Sequence, residues 1–211
     1  MANREALFEV EIRCHFDSPE EVCEVLPFVR SCLQGESKVS WVARFYGLTL
    51  FKSGQLLRAG EAIHHGQAVH FLGWKGSDTG TFANIRQEVD EDITTGIANS
   101  AVLRLLGGRE GIVTSDSVAR ELKHLGHPEF MSFQGEDISG YDDRFGVKVK
   151  LMSCPVLKWP LIVELEKTAN TEEEASRCES ELQELSRRFQ LQKRLLREEP
   201  PSLLYAGLFA H

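Results

Sequence analysis

Near its N-terminus the chain reads Leu7-Phe8-Glu9-Val10-Glu11-Ile12-Arg13-Cys14-His15-Phe16, in which apolar and polar residues alternate over the whole length. The side chains of a β-strand point to opposite faces in turn, so Glu9, Glu11 and Arg13 share one face. The segment therefore predicts a strand with one face in an apolar core and the other face charged.

A second alternating segment, close to the other end of the sequence, carries a matching pair of acids. It reads Leu161-Ile162-Val163-Glu164-Leu165-Glu166 and places Glu164 and Glu166 on one face. If the two strands are neighbours, four carboxylates converge, and a hard cation such as Mg²⁺ is needed to keep them all ionised. The alternative is that each strand is half-buried with its acids in solvent, and the pattern alone leaves both interpretations open.

Between these segments the apolar pattern predicts further strands and several helices. A meander of strands with glycine turns is predicted over 39–50, 55–63, 67–75 and 81–90, and a second β region over 129–136, 143–152 and 160–168. Helices are predicted after Ser18, over 93–106, over 115–125 and, as one long C-terminal helix, over about 171–198. Because the sequence contains no linker and no repeat at a fixed period, we expect a single domain over residues 1–211.

Basic side chains follow the same alternation on several predicted strands. Besides Arg13, these are Arg58, Lys75, Arg86, Lys148 and Lys150, and Arg86 is followed at the same spacing by Glu88 and Asp90. A wall that mixes carboxylates with arginine and lysine suits a metal-bound polyphosphate, because the bases hold phosphate oxygens and the metal bridges carboxylate and phosphate. Ordinary surface charges on an antiparallel sheet are the alternative that the spacing leaves open.

The order of these motifs resembles that of the CYTH superfamily, which contains class IV adenylyl cyclases, thiamine triphosphatases and inorganic triphosphatases. The resemblance extends from about Leu7 to Tyr205. It rests on Glu9-Val10-Glu11-Ile12-Arg13, Leu56-Leu57-Arg58, Trp74-Lys75-Gly76, Arg86-Gln87-Glu88 and Val163-Glu164-Leu165-Glu166. It implies an α+β fold, in which an antiparallel β-barrel is open as a triphosphate tunnel and has helices packed outside.

The resemblance also implies roles for individual residues. Glu9, Glu11, Glu164 and Glu166 match acids that bind the metal, expected to be Mg²⁺ or Mn²⁺, while Arg13, Arg58, Lys75 and Arg86 match bases that hold phosphates. Glu88 matches an acid of the R-x-E element, and together with Glu9 and Glu11 it is an expected catalytic carboxylate. The expected function is metal-dependent hydrolysis of tripolyphosphate, thiamine triphosphate or ATP. There are two alternatives: adenylyl cyclase activity of the class IV type, and non-catalytic binding of a phosphorylated ligand in the tunnel.

Three positions depart from the family pattern. Gly60 stands where a second arginine usually follows Arg58, the late strand 132–136 contains no Lys or Arg, and the region 148–152 contains no aspartate. Lys148 and Lys150 can compensate for the lost positive charge, whereas no residue is expected to replace the aspartate.

Composition limits the classes of function. The 211 residues contain 24 Lys and Arg against 32 Asp and Glu, and the formal net charge of −8 argues against binding to nucleic acid or to an anionic membrane. The five cysteines are scattered, no apolar run is long enough for a membrane helix, and the N-terminus is charged where a signal peptide would be apolar. We therefore expect free thiols and a cytoplasmic location.

Overall fold

The computed structural model describes residues 7–209, and the side chains of 7–208. The prediction against a signal peptide concerns the first residues of the chain, and residues 1–6 lie outside this range. Among residues 7–209, no helix combines the length and the apolar character that crossing a bilayer would require.

The described chain alternates strands with mostly short helices. The strands are β1 (Leu7–Phe16), β2 (Val39–Tyr46), β3 (Leu56–His64), β4 (Gln67–Lys75), β5 (Asn84–Asp92), β6 (Ile97–Ala98), β7 (Ile112–Val113), β8 (Glu129–Asp142), β9 (Val147–Ser153), β10 (Leu161–Ala169) and β11 (Leu195–Leu196). The helices are α1 (Pro19–Val25), α2 (Pro27–Cys32), α3 (Leu48–Lys52), α4 (Ala101–Leu105), α5 (Val118–His124), α6 (Glu172–Arg188) and α7 (Pro200–Phe209), and a short 3₁₀ helix covers Leu191–Lys193.

The strand order identifies the fold class. The main sheet has the order β10-β9-β8-β2-β3-β4-β5-β1-β11, and β10 also pairs with β1. This is the connectivity of an antiparallel β-barrel, so the predicted α+β class, a barrel with helices on its outside, is confirmed. The strands β6 and β7 pair separately.

The contacts divide the described residues into two compact units, which are taken in turn below. The meander unit comprises residues 39–78 and 86–134, and the terminal unit comprises residues 8–38, 79–85 and those from 135 onward. The prediction of a single domain over residues 1–211 stays a prediction.

In the terminal unit, the apolar face of the predicted first strand packs as expected. Val10, Ile12 and Cys14 are buried in one cluster with residues of β10 and α6, including Val163 and Leu182. Helix α1 begins with the predicted capping box, since the Ser18 hydroxyl accepts a hydrogen bond from the amide of Glu21 at 3.1 Å. Because the apolar residues of β1 and β10 occupy the face that packs under α6, the opposite face of these two strands carries the polar side chains.

The C-terminal helix is shorter than predicted. Helix α6 ends at Arg188, and Gln190 takes a left-handed conformation with φ of 56°. Beyond it, Leu195 and Leu196 pair with Cys14 and Arg13 of β1 instead of continuing the helix over 171–198. The apolar spacing of the helix continues past Arg188, but the backbone of Leu195 and Leu196 is hydrogen-bonded to β1 and not within a helix.

In the meander unit, two predicted elements were wrong in part. The strand predicted over 39–50 ends at Tyr46, because Gly47 adopts φ of 70° and α3 begins at the next residue. The helix predicted over 93–106 is restricted to α4, because Gly96 and Asn99 have positive φ and the residues between them pair with β7. The apolar faces of β3 to β5 pack against α4 and α5.

Candidate functional site

The two acid-bearing strands are hydrogen-bonded neighbours in the terminal unit. Their antiparallel register places Glu11 opposite Glu166, and Arg13 opposite Glu164. Glu9 lies opposite Thr168, one step further along the same face. The structure therefore brings the two predicted acid pairs to one face of a single pair of strands.

Arg13 is at the centre of this face and is fully buried. Its Nε donates to Glu164 Oε1 at 3.1 Å, its Nη1 donates to Asn84 Oδ1 at 3.0 Å, and its Nη2 donates to Glu11. The same Nη2 lies 2.8 Å from Glu199 Oε1. One guanidinium thus contacts three carboxylates and one amide, which is close to its full capacity as a donor.

The charge of Arg13 is strongly stabilised. Burial alone would lower the pKa of the guanidinium, but Glu11, Glu199 and Glu164 outweigh burial and raise that pKa above its ordinary value. Arg13 therefore remains a cation at every pH at which the protein is folded.

Two lysines of β9 extend the charged face. Lys150 lies opposite Glu164 and its Nζ is 2.7 Å from Glu164 Oε2, while Lys148 lies opposite Glu166 and its Nζ is 2.8 Å from Glu166 Oε2. Across β1, β10 and β9 the side chains form two rows. The first ionic row is Arg13, Glu164 and Lys150, and the second ionic row is Glu11, Glu166 and Lys148.

The sequence predicts that the carboxylates of this face bind Mg²⁺ or Mn²⁺. Carboxylate oxygens are suitable donors for either ion. Within residues 7–209, however, no three His, Cys, Asp or Glu side chains are grouped so that they could hold a metal ion. Glu11, Glu164 and Glu166 face Arg13, Lys150 and Lys148 instead, so the described arrangement does not fit a preformed metal site.

The meander unit carries a second charged group, formed by residues of β3, β4 and β5. Arg58 Nη2 donates to Glu88 Oε1 and to Asp90 Oδ2, each at 3.0 Å, and Lys75 Nζ lies 3.5 Å from Glu88 Oε1. Gly73 of the intervening strand makes this possible, because a Cβ there would lie 2.1 Å from Asp90 Oδ1 and 3.1 Å from Arg58 Nε.

Arg86, a predicted phosphate ligand, also has a structural role. Its Nη1 donates to the carbonyl oxygens of Gly54 at 2.7 Å and Gly76 at 2.8 Å. These bonds tie the start of β5 to the turns that precede β3 and follow β4.

Gly60, where the family has a second arginine, is restricted by its backbone environment. A Cβ at this position would lie 2.0 Å from the carbonyl oxygen of Val42 and 3.0 Å from Phe71 Cζ. No side chain fits without displacement of β2, so the departure from the family pattern is accommodated by the packing of this sheet.

Two residues of the Arg13 cluster were not predicted from the sequence. Glu199 lies just beyond the helix predicted over about 171–198, yet it provides a carboxylate to Arg13 just before α7. Asn84 accepts from Arg13 and donates to the carbonyl oxygen of Arg197 at 3.2 Å. Asn84 precedes Arg86 at the alternating spacing of its strand and Glu199 follows no such pattern, but no local signal in the sequence connects either residue with β1.

A separate cavity of about 410 Å³ lies in the meander unit on the side of β2 and β3 that faces α5. Its described lining includes Arg44, Tyr46, Glu61 and His70 and none of the predicted site residues.

Comparison with known proteins identifies the fold. No family model matches the chain. No curated protein matches it either. Among solved structures, the chain is similar to the PH1819 protein from Pyrococcus horikoshii OT3, with a TM-score of 0.72 and 18% identity over 94% of this chain and 99% of that chain.

Two further similar structures have descriptions that mention an activity. A candidate adenylate cyclase from Vibrio parahaemolyticus has a TM-score of 0.64 and 15% identity, and the match covers 96% of this chain and 100% of that chain. HpAC1 from Hippeastrum, a candidate adenylyl cyclase described as having a dominant triphosphatase activity, has a TM-score of 0.59 and 13% identity over 95% and 96% of the two chains.

The chain therefore has the same antiparallel β-barrel fold as these structures. It is the fold that the resemblance to the CYTH superfamily implies.

Proposed function

We propose that this chain is a phosphohydrolase that acts on a triphosphate. The observation that carries the proposal is the pair of ionic rows on β1, β10 and β9. They combine one arginine and two lysines with carboxylates on a single face, which is the composition that binds polyphosphate while leaving oxygens available to accept a proton.

The charge of this face bears on the form of the substrate. The two rows together with Glu9 and Glu199 contain five acids and three bases, so the face has a formal charge of −2. A bare polyphosphate would be repelled by that charge. We infer that the substrate enters as its Mg²⁺ or Mn²⁺ complex, which reduces the repulsion.

In the proposed reaction, the lysines change partners. Lys148 and Lys150 leave Glu166 and Glu164 and bind phosphate oxygens, while Arg13 stays fixed by its carboxylates and orients Glu164. Water attacks the terminal phosphorus and transfers its proton to a carboxylate of the face, for which Glu9 and Glu11 are the candidates. The products are orthophosphate and a diphosphate.

The proposed phosphate-binding residues of the meander unit are Arg58, Lys75 and Arg86. Glu88 is proposed to position Arg58 and Lys75, which it contacts. That they act on the same substrate as the ionic rows stays a prediction from the sequence.

The descriptions of similar structures support this reaction class. The Hippeastrum protein is described as a dominant triphosphatase, which favours hydrolysis. The Vibrio protein is described as a candidate adenylate cyclase, so cyclisation of ATP is the second candidate. Non-catalytic binding of a phosphorylated ligand is the third, because Arg13 is already saturated by three carboxylates.

The experiment incubates the protein with tripolyphosphate, thiamine triphosphate and ATP, each with Mg²⁺, with Mn²⁺ and with a chelator, and identifies the products. Orthophosphate release supports the hydrolase, and cyclic AMP with diphosphate supports the cyclase. Stabilisation against heat by a triphosphate without turnover supports the binding protein. If neither turnover nor stabilisation occurs with any substrate, the proposal is wrong.

Matched variants localise the activity. Lys150→Met and Glu9→Gln are each expected to reduce turnover roughly 10²-fold, since the first removes a proposed phosphate-binding cation and the second removes a candidate proton acceptor. Lys123→Met, which changes an exposed lysine of α5 in the meander unit, is the control and should leave turnover unchanged.

A further inference from the structure

The cavity of about 410 Å³ in the meander unit is separate from the charged residues of the proposed function. Its lining residues come from β2, β3, β4, β8 and α5 and from the segments after β5 and before α5, all within the meander unit. On β3, Ala59 and Glu61 line the cavity and point to the face opposite Arg58. The cavity is therefore on the other side of the sheet from that predicted phosphate ligand, and its volume is typical of a site for a small organic molecule.

The deep part of the cavity is apolar. It is lined by Ala59, Ile93 and Val118, which are the side chains of β3, of the segment after β5 and of α5 that are almost fully buried. Methylene groups of a ligand would be removed from water on this surface, and such burial favours binding.

One acid of the lining is already neutralised by groups of the protein. The hydroxyl of buried Tyr46 donates to Glu129, and Arg44 Nη1 lies 3.7 Å from Glu129 Oε2. Burial, with a smaller contribution from the charge of Glu129, raises the pKa of Tyr46, so the phenol remains a neutral donor. These three residues form a closed group on the wall made by β2 and β8.

The other two acids of the lining, Glu61 and Asp116, have no such partners. Neither makes an ion pair or a side-chain hydrogen bond with any residue in the described range 7–209. Glu61 is half-buried and lies opposite His70 of β4, whereas Asp116 is exposed at the rim. With His70 neutral, the lining has three acids and one base, a formal charge of −2 that favours a dication.

The placement of the two carboxylates indicates which kind of dication fits. A metal ion needs several oxygens around one point, and the part of the chain that the structure describes contains no such group of three His, Cys, Asp or Glu side chains. Glu61 belongs to the sheet and Asp116 to the segment before α5, and each adjoins an apolar residue of its own wall, Ala59 or Val118. Two separate ammonium groups joined by an alkyl chain match this arrangement, because each can form a charge-assisted hydrogen bond while the chain covers the apolar surface.

We propose that this cavity binds an aliphatic diamine as its dication, with one ammonium group on Glu61 and the other on Asp116. No residue of the ionic rows lines the cavity. The inference is therefore independent of the proposed function and holds whether or not the chain hydrolyses a triphosphate.

The test is calorimetric titration of the full chain with 1,4-diaminobutane at pH 7.5 and about 0.15 M NaCl, where exposed charges are screened. We expect saturable binding at one site. Binding of 1-aminobutane, which has one ammonium group, and of Mg²⁺, which has no alkyl chain, should each be weaker by roughly tenfold or more.

Matched variants separate the cavity from a general attraction between charges. Glu61→Gln and Asp116→Asn are each expected to weaken binding of 1,4-diaminobutane roughly tenfold, since each removes one charge-assisted hydrogen bond. Glu110→Gln removes an exposed acid of the same unit outside the cavity and should change the affinity less than about twofold. Ala119→Phe keeps every charge but fills the cavity from an exposed position of α5, so folding should be retained and binding abolished.

Four results would overturn the proposal. They are the absence of saturable binding of 1,4-diaminobutane, an equal affinity for 1-aminobutane or Mg²⁺, an unchanged affinity in Ala119→Phe, and an equal loss in Glu110→Gln and Glu61→Gln. The last two would show that the amine is attracted only to acids of the surface. All four leave the proposed triphosphate hydrolysis untouched, because that activity is assayed without a diamine.

Discussion

Replacement of Arg13 by leucine is expected to destabilise the protein strongly and in a pH-dependent manner. The guanidinium is fully buried and contacts Glu11, Glu164 and Glu199, each of which is itself buried. Leucine removes the cation and leaves three buried carboxylates close together. Loss of one partner of a buried ion pair costs about 3 to 5 kcal/mol, which is a large part of the 5 to 15 kcal/mol that stabilises a typical domain.

The pH dependence follows from the carboxylates that remain. Without Arg13, burial and mutual repulsion disfavour the charged forms of Glu11 and Glu164 in the folded variant, relative to the unfolded chain, in which a glutamate has a pKa of about 4.3. The folded variant then binds more protons than the unfolded chain, so its stability increases as the pH falls toward that value. The deficit relative to the unmodified protein should be largest at pH 8 and should shrink toward pH 5.

Urea unfolding, followed by circular dichroism at pH 5, 6, 7 and 8, measures this deficit. The control is Arg187→Leu, which removes an exposed ion pair with Glu184 and should cost no more than about 0.5 kcal/mol at any pH. A deficit for Arg13→Leu below about 1 kcal/mol at pH 7, or one that is equal at pH 5 and pH 8, would refute the described ion-pair cluster.

Three further predictions concern other parts of the structure. Glu179→Gln should cost about 1 to 3 kcal/mol at pH 7 in urea unfolding, because this carboxylate accepts hydrogen bonds from the amides of residues 81–83. Burial raises the pKa of Glu179, but the three amides lower it by more, so the net pKa lies below the unfolded value of about 4.3. The contribution of Glu179 is therefore fully present above about pH 4.3 and should decrease as the pH falls below it; a difference between the two proteins that does not decrease on acidification would contradict this. Gly60→Ala should cost more than about 2 kcal/mol because its Cβ meets the backbone, whereas Gly111→Ala, where a Cβ meets nothing within 4 Å, should be nearly neutral; equal midpoints of unfolding would refute the reason given. Cys14 should resist alkylation by iodoacetamide at pH 8 until urea unfolds the chain, because burial raises the pKa of its thiol to about 12, and mass spectrometry of native protein would reveal any early labelling.

The strands that carry the candidate site could be predicted from local pattern. In β1 and β10, an alternating period of two assigns each side chain to a face before any partner strand is known. The capping box at Ser18 and Glu21 is equally local, because its donor and acceptor lie within one helical turn. The types of side chain on the charged face were therefore known without tertiary information.

Element ends and long-range partners could not be predicted in this way. The end of α6 depends on the left-handed Gln190 and on the pairing of Leu195 and Leu196 with β1. Glu199 lies 186 residues from Arg13 in sequence, and a pattern of neighbouring residues contains no information about such a contact. The same holds for Gly73, whose importance appears only when Arg58 reaches across β4 to Asp90.

The sequence by itself determined that acids and bases alternate with apolar residues on β1, β9 and β10, and hence that one face is charged. Only the tertiary structure decided which cation neutralises which carboxylate, because that depends on strand register. A shift of one residue in the pairing of β1 with β10 would place Arg13 opposite Val163 or Leu165 and turn the acids of one strand to the other face. Register is selected by the packing of whole faces against α6 and by the contact of Glu199 with Arg13, and neither is encoded within the strands themselves.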